Sequence, residues 1–263
     1  MKLSIIIPVY NSEKILPTLL NSIYKKISKK IKKFEIILVN DCSHDQSWKI
    51  IKKFSLKEKY IKGINLKYNY GQHYAIFTGL KYAKGDQIIC MDDDMQHDPN
   101  YINDIYLQLT NEHDVCYVRY LGRKHNLIKI FISWLNNIVS SYLMSKSPKI
   151  YTSSFKGFNK IIKKKIIKNP PKFVFLDFWV IKYGKKINII NVFHKKRLLG
   201  DTNYKLRELI TLWSNMIFLI DTKKKNLKSL IIIILKLFFK TFLKEYIDYK
   251  DKRAIIIDSK TFR

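Results

Sequence analysis

Four short apolar runs early in the chain, each ending in a polar cluster, restrict its fold more than any other feature. Ile5 to Val9 is continuous and β-branched. A polar turn at Tyr10-Asn11-Ser12 follows, and then apolar residues at Ile15, Leu16, Leu19, Leu20 and Ile23 mark one helical face. Glu35-Ile36-Ile37-Leu38-Val39 repeats the pattern, with a turn-rich Asn40-Asp41-Cys42-Ser43-His44-Asp45 and a helix around Trp48 to Phe54. Ile61 to Leu66 predicts a third strand, Gly71 to Tyr82 a helix, and Gln87 to Met91 a fourth strand that runs into Asp92, Asp93 and Asp94. Strands apolar on both faces need cover on both faces, so the expected architecture is α/β, a mostly parallel central sheet between helical layers. In such sheets ligands collect at the carboxyl ends of the strands, where every one of these polar clusters falls.

Further along, Val115 to Arg119 predicts another strand and Leu127 to Met144 a long amphipathic helix, with Phe131, Trp134 and Tyr142 expected on its core side. Ser153 to Ile162 reads as a turn leading into a strand or a helix. Past Gly200, Leu209 to Ile220 and Leu230 to Leu243 are amphipathic rather than membrane-spanning, because the first is short and Lys236 and Lys240 interrupt the second. Lys228, Lys236, Lys240 and Lys244 beside Ile231, Leu235, Phe238, Phe239 and Phe242 suit a helix lying on a membrane surface and equally one packing on the core. The expected division is therefore a domain over 1–207 and a basic amphipathic helical segment over 208–263, with the last ten residues a loose tail.

The net charge of +29 suggests an anionic partner, an anionic membrane surface before nucleic acid, since no zinc-finger or RNP-like spacing occurs. Only six of the 50 basic residues are Arg, and the Lys excess travels with Ile and Asn, so part of the charge is compositional. The three cysteines, Cys42, Cys90 and Cys116, read as buried thiols in a reducing cytosol. The apolar run before Pro8 is too short for a signal peptide and reads as a buried first strand.

Met91-Asp92-Asp93-Asp94-Met95-Gln96-His97-Asp98-Pro99 carries the chemistry. A carboxylate cluster at the end of a buried strand is costly unless it meets a cation, and oxygen ligands suit Mg²⁺ or Mn²⁺, which take further ligands from phosphates and water. Alone, three acids also suit a helix cap or a solvated turn. His44, His73 and His97 share no ligand spacing with Cys and are read as hydrogen-bonding loop residues.

Together, Pro8-Val9-Tyr10-Asn11, Val39-Asn40-Asp41-Cys42-Ser43-His44-Asp45, Asn69-Tyr70-Gly71-Gln72-His73 and Asp92-Asp93-Asp94-Met95-Gln96-His97 resemble, in order and spacing, family 2 glycosyltransferases. The likeness covers roughly residues 1–210 and is narrower still to the polyprenyl-phosphate, dolichol-phosphate mannose synthase-like branch. It implies a GT-A fold and an inverting transferase that uses a nucleotide-sugar donor. Pro8, Tyr10, Glu13, Asp41 and Gln72 would bind the donor, and Asp92, Asp94 and Gln96 would ligate the metal, with Asp92 nearest the ribose. Asn40 stands where an aspartate is usual and Cys42 where a glycine is usual.

Val118-Arg119-Tyr120 resembles the family's strand-end Arg. Tyr151-Thr152-Ser153-Ser154-Phe155 resembles its Thr-Ser-Gly-Phe segment, with Ser154 for Gly and Lys156 where Arg is common. His194 to Tyr204 resembles a basic loop closing over the diphosphate, so Arg119 and Arg197 are the expected phosphate contacts. A lipid-phosphate acceptor is already an anion and needs no strong base, whereas a sugar hydroxyl does, and Asp177 is then the candidate. The cysteines and the basic amphipathic segment lead to the expectation of a cytoplasmic enzyme, peripheral on the cytoplasmic face of the inner membrane. A non-catalytic basic module is the alternative from another class.

Overall fold

The computed structural model describes residues 2–121, 127–168, 175–193, 217, 232, 233, 235 and 259–262. The four apolar runs form β1 (Leu3–Val9), β2 (Phe34–Asn40), β3 (Ile61–Leu66) and β4 (Gln87–Cys90). Between them lie α1 (Leu16–Ile27), α2 (Ser47–Lys57) and α3 (Gln72–Tyr82). Then follow α4 (Tyr101–Thr110), β5 (Val115–Leu121), α5 (Leu127–Met144), β6 (Lys156–Asn159), α6 (Lys160–Lys168), α7 (Leu176–Tyr183), β7 (Ile187–Phe193) and β8 (Ser259–Phe262). The ambiguous stretch from Ser153 thus resolves into a strand followed by a helix.

The sheet order is β7-β5-β6-β4-β1-β2-β3-β8. Strands β1 to β4 are parallel, as are β5 and β7, while β6 is inserted antiparallel between β4 and β5. The chain winds outward from β1 to β3, and α3 then carries it back to place β4 on the other side of β1. That reversal opens a crevice at the carboxyl ends of β1 and β4.

Alternate residues of β1 enter two separate cores. Leu3, Ile5, Ile7 and Val9 pack with Leu16, Leu19 and Ile23 of α1, Ile51 of α2 and Ile102 and Ile105 of α4. Ile6, on the opposite face, packs with α3, α6 and α7 through Leu80, Ile162, Leu176 and Val180. Helix α3 lies so close to the sheet that a methyl group at Gly79 would stand 2.6 Å from Ile6 Cγ2, which explains the glycine in mid-helix.

Three expectations change. Residues 259–262 are not a loose tail but pair antiparallel with β3. Trp134 and Tyr142 do not fill the core and are 50% and 47% exposed; among the described residues the buried side of α5 carries Asn137, Ser140 and Ser141 together with Leu143 and Met144. Most of the 208–263 segment, with the boundary at 207 and the Phe131 side chain, lies outside the described residues. Within the segment, Ile217 and Ile232 are buried in the same cluster as α7, and Leu235 packs against it. Among the described residues no helix is long and apolar enough to cross a membrane.

At the amino ends of the strands a buried carboxylate ties the sheet together. Glu35 accepts hydrogen bonds from Ser4 Oγ at 2.7 Å, Lys62 Nζ at 2.6 Å and the Lys84 N–H at 2.6 Å. Burial alone would raise its pKa, but these donors outweigh burial and bring it from 4.5 down to about 2. The folded value is the lower one, so the stabilisation is present above about pH 4.5 and is lost as pH falls through about 2. Glu35→Gln is expected to cost about 3 kcal/mol near neutral pH and to flatten the acid limb of a urea-midpoint profile between these values.

Candidate active site

The crevice holds a cleft of about 330 Å³ lined by Pro8, Val9, Tyr10, Asp41, Asn69, Gly71, Gln72, Asp92, Asp93 and Asp94. These residues come from the carboxyl ends of β1, β2, β3 and β4, so four separate stretches of sequence converge on one place. The structure therefore brings together Pro8, Tyr10, Asp41, Gln72, Asp92 and Asp94 of the expected site. Tyr10, 45% exposed, presents an aromatic ring on this wall.

The loops of the cleft are cross-stitched. Asn11 N–H donates to Ser43 Oγ at 3.0 Å and its side-chain oxygen accepts the His44 N–H at 2.9 Å. Glu13 is not on the cleft wall. Its backbone N–H donates to Asp45 at 3.0 Å and its carboxylate accepts the Gln46 N–H at 2.8 Å, so it holds the β1–α1 loop against the β2–α2 loop. Asp41, buried at the end of β2, accepts the backbone N–H groups of Tyr70 and Gly71 at 2.8 Å each and so sets the approach to α3. Cys42 has φ 58°, a left-handed conformation that explains why a glycine is usual there.

The three aspartates have different surroundings. Asp92 accepts a hydrogen bond from Gln72 Nε2, which orients its carboxylate across the cleft. Asp93 turns inward, where Ser12 Oγ and the Tyr10 N–H, at 3.1 Å, donate to it and join the β1 and β4 loops. Burial pushes Asp93 up to about 6; Ser12 and Tyr10 oppose the rise and the neighbouring Asp92 charge adds to it. Asp94 Oδ1 accepts the Gln96 N–H at 3.1 Å. The sequence resemblance leaves Asp93 out of the metal ligands without giving it a role, and Ser12 and Asn69, though inside the quoted turn and motif, are likewise given none.

The chemistry of this donor set fits a hard divalent cation. Among the described residues no three His, Cys, Asp or Glu side chains form a group able to hold a metal ion; the cleft wall carries the Asp92 and Asp94 carboxylates, and Gln96 is not part of that wall. Mg²⁺ and Mn²⁺ accept such incomplete oxygen sites when phosphates and water supply the rest, whereas a structural zinc site needs a closed set of protein ligands.

The other expected residues fall elsewhere. Arg119 lies past the buried part of β5, with its guanidinium 5.1 Å from the Tyr151 ring centroid, beside the 151–155 segment rather than on the cleft wall. Arg197 and the 194–204 loop lie outside the described residues. Asp177, expected as the base for a hydroxyl acceptor, is buried at the start of α7 and off the cleft wall. Lys156 Nζ donates to its Oδ1 at 2.6 Å and Tyr117 OH to the same oxygen at 2.9 Å. A carboxylate so engaged does not fit the role of a free acceptor base, and its apolar surroundings are met by ion pairing.

Comparison with known proteins agrees with this geometry. The undecaprenyl-phosphate 4-deoxy-4-formamido-L-arabinose transferase of Pectobacterium atrosepticum is 30% identical over 229 residues, 87% of this chain and 70% of that one. The enzyme of the same name from Photorhabdus laumondii is 29% identical over 231 residues, covering 88% and 71%. Among solved structures, S. aureus TarS 1-349 in complex with UDP-GlcNAc superposes with a TM-score of 0.55 at 23% identity, over 92% of this chain and 73% of that one. The mannosyltransferase PcManGT from Pyrobaculum calidifontis, in complex with GDP-Man and Mn²⁺, gives a TM-score of 0.61 at 12% identity, over 96% and 73%. The expected GT-A architecture is therefore the observed one. The model of Glycosyl transferase family 2 matches residues 4–169, which contain the whole cleft, and the chain belongs to that family.

Proposed function

We propose that this glycosyltransferase moves a sugar, with inversion, from a nucleoside diphosphate donor to a polyprenyl-phosphate lipid. Support for the acceptor comes from the relatives named undecaprenyl-phosphate transferases. The observation that carries this reading over a hydroxyl acceptor is the engagement of Asp177 by Lys156 and Tyr117, since a lipid phosphate is a nucleophile that needs no base.

Tyr10 would stack on the base, and Asp41 would accept a hydrogen bond from it while its other contacts hold the Tyr70-Gly71 turn. Gln72 keeps the Asp92 carboxylate turned across the cleft, and Asp93 keeps the β1 loop closed on the β4 loop. Asp92, Asp94 and Gln96 would hold Mg²⁺ or Mn²⁺, whose charge, when bound, offsets the charge that the diphosphate gains as the sugar bond breaks. Arg119 and Arg197 would neutralise the phosphates of acceptor and leaving group, a task suited to guanidinium forks. The basic 208–263 segment would hold the enzyme at an anionic membrane surface on the cytoplasmic side.

The purified protein, given a labelled nucleotide sugar, Mn²⁺ and polyprenyl phosphate in detergent, is expected to form an acid-labile sugar lipid. No lipid product with any common donor, while a glycan supplied in place of the lipid takes up label on a hydroxyl, would overturn the reading.

A further inference from the structure

His97 is buried at the cleft with a set of contacts that the proposed chemistry leaves unused. It is 4% exposed. Met95, with φ 62°, turns the chain so that His97 comes back beneath Asp92. The Asp92 N–H donates to His97 Nδ1 at 2.9 Å, so Nδ1 carries no proton and the neutral ring has its proton on Nε2. That edge stands 3.3 Å from Ser154 Oγ and 3.7 Å from Asp92 Oδ2. The ring itself is clamped flat, stacked on Phe155 at 4.9 Å and 11° and on Tyr120 at 6.0 Å and 14°.

One imidazole thus faces both the backbone and the carboxylate of Asp92. It is held from the far side by β5 and by the segment that enters β6, which belong to the other half of the sheet. Gln72 Nε2 anchors the Asp92 carboxylate at Oδ1 alone, which leaves the backbone and Oδ2 able to shift about that anchor. The stacked ring removes that freedom, because it cannot rotate without leaving Phe155 and Tyr120. Loss of a group that orients a ligating side chain typically costs about 10–100-fold in affinity.

We infer that His97 is a positioning residue for donor binding, holding Asp92 in the orientation that the nucleoside diphosphate and its cation require. The inference rests on the assignment of Asp92 to that site. Two substitutions separate positioning from bulk. His97→Phe keeps a flat ring between Phe155 and Tyr120 but removes the acceptor for the Asp92 N–H. His97→Asn loses the stacked ring but puts Oδ1 where Nδ1 stood.

Binding of UDP in the presence of Mn²⁺ would be measured by calorimetry, beside melting temperatures of the ligand-free proteins, with Asp92→Asn as the reference. His97→Phe is expected to bind about tenfold or more weakly, whereas His97→Asn stays within about threefold of the wild type although it melts lower. If affinity follows melting temperature, if both variants lose affinity equally, or if His97→Phe binds like the wild type while Asp92→Asn does not, His97 is merely structural and the inference is wrong. If Asp92→Asn itself binds like the wild type, the donor-site reading fails and takes the inference with it.

Discussion

Asp94→Ala is expected to lower sugar transfer by about a hundredfold or more and to remove the Mn²⁺ dependence of nucleotide binding, while the metal-free protein melts close to the wild type. The carboxylate stands at a strand end on the wall of the cleft, with the Gln96 N–H as its local donor. The neighbouring Asp93 is pushed up chiefly by burial, with the Asp92 charge adding to the rise. Removing Asp94 takes one acid from the half-buried cluster and is expected to cost chiefly what a bound cation would have gained. Steady-state transfer assays and melting curves on the same preparation check both halves. A non-catalytic basic module would show no change in either.

Lys156→Met is expected to destabilise the protein by about 3–5 kcal/mol. Lys156 is 1% exposed and lies on β6, in register with Cys90 of β4 and Tyr117 of β5. Its ammonium pairs directly with the buried Asp177 carboxylate, with Tyr117 OH as an additional donor and the Lys146 ammonium also acting on that charge. Without Lys156 a charge is left in an apolar layer below the cleft, where the Cys90 thiol is already pushed up to about 12 by burial. Adding Asp177→Asn to Lys156→Met should recover most of the loss, because the stranded charge is then gone. Urea unfolding of the two single variants and the double variant measures this coupling. Asp177→Asn alone should retain transfer activity at temperatures where it is folded. Loss of activity with folding intact would instead restore Asp177 as an acceptor base and favour a hydroxyl acceptor.

The parts of the fold that were legible in the sequence are those whose burial is symmetrical. Strands β1 to β4 are apolar on both faces because helices cover both, and each ends in residues too polar to continue a buried strand. Strand β7 carries Asn188 and Asn191 among its apolar residues, and β6 spans only Lys156 to Asn159, so neither gives a continuous run. The pairing of β8 with β3 is a long-range contact without a local signal. The exposed Trp134 and Tyr142 misled the reading of α5, since helical spacing finds a stripe without saying which stripe is buried.

In the site, motif order located the cleft wall but not the division of labour within it. Asp92, Asp93 and Asp94 are chemically identical in sequence, and only Ser12 and Tyr10, more than 80 residues away, show that the middle one faces inward. Glu13 was expected to touch the donor and instead braces two loops. His97 was read as a hydrogen-bonding loop residue, which the contact with Asp92 bears out, but its stacking partners Tyr120 and Phe155 come from another part of the sheet. A histidine directly after the aspartate motif was the available signal, and its meaning depended on tertiary neighbours.

Binding of a nucleoside diphosphate through a divalent cation is proposed for the crevice between β1 and β4. It is tested most directly by melting the protein with UDP-, GDP- and TDP-sugars, each with and without Mn²⁺. One nucleotide series is expected to stabilise the protein by about 2–3 kcal/mol at a hundredfold excess over its dissociation constant, and only when the metal is present. Stabilisation that persists without the metal, or that survives in Asp94→Ala, would contradict the claim.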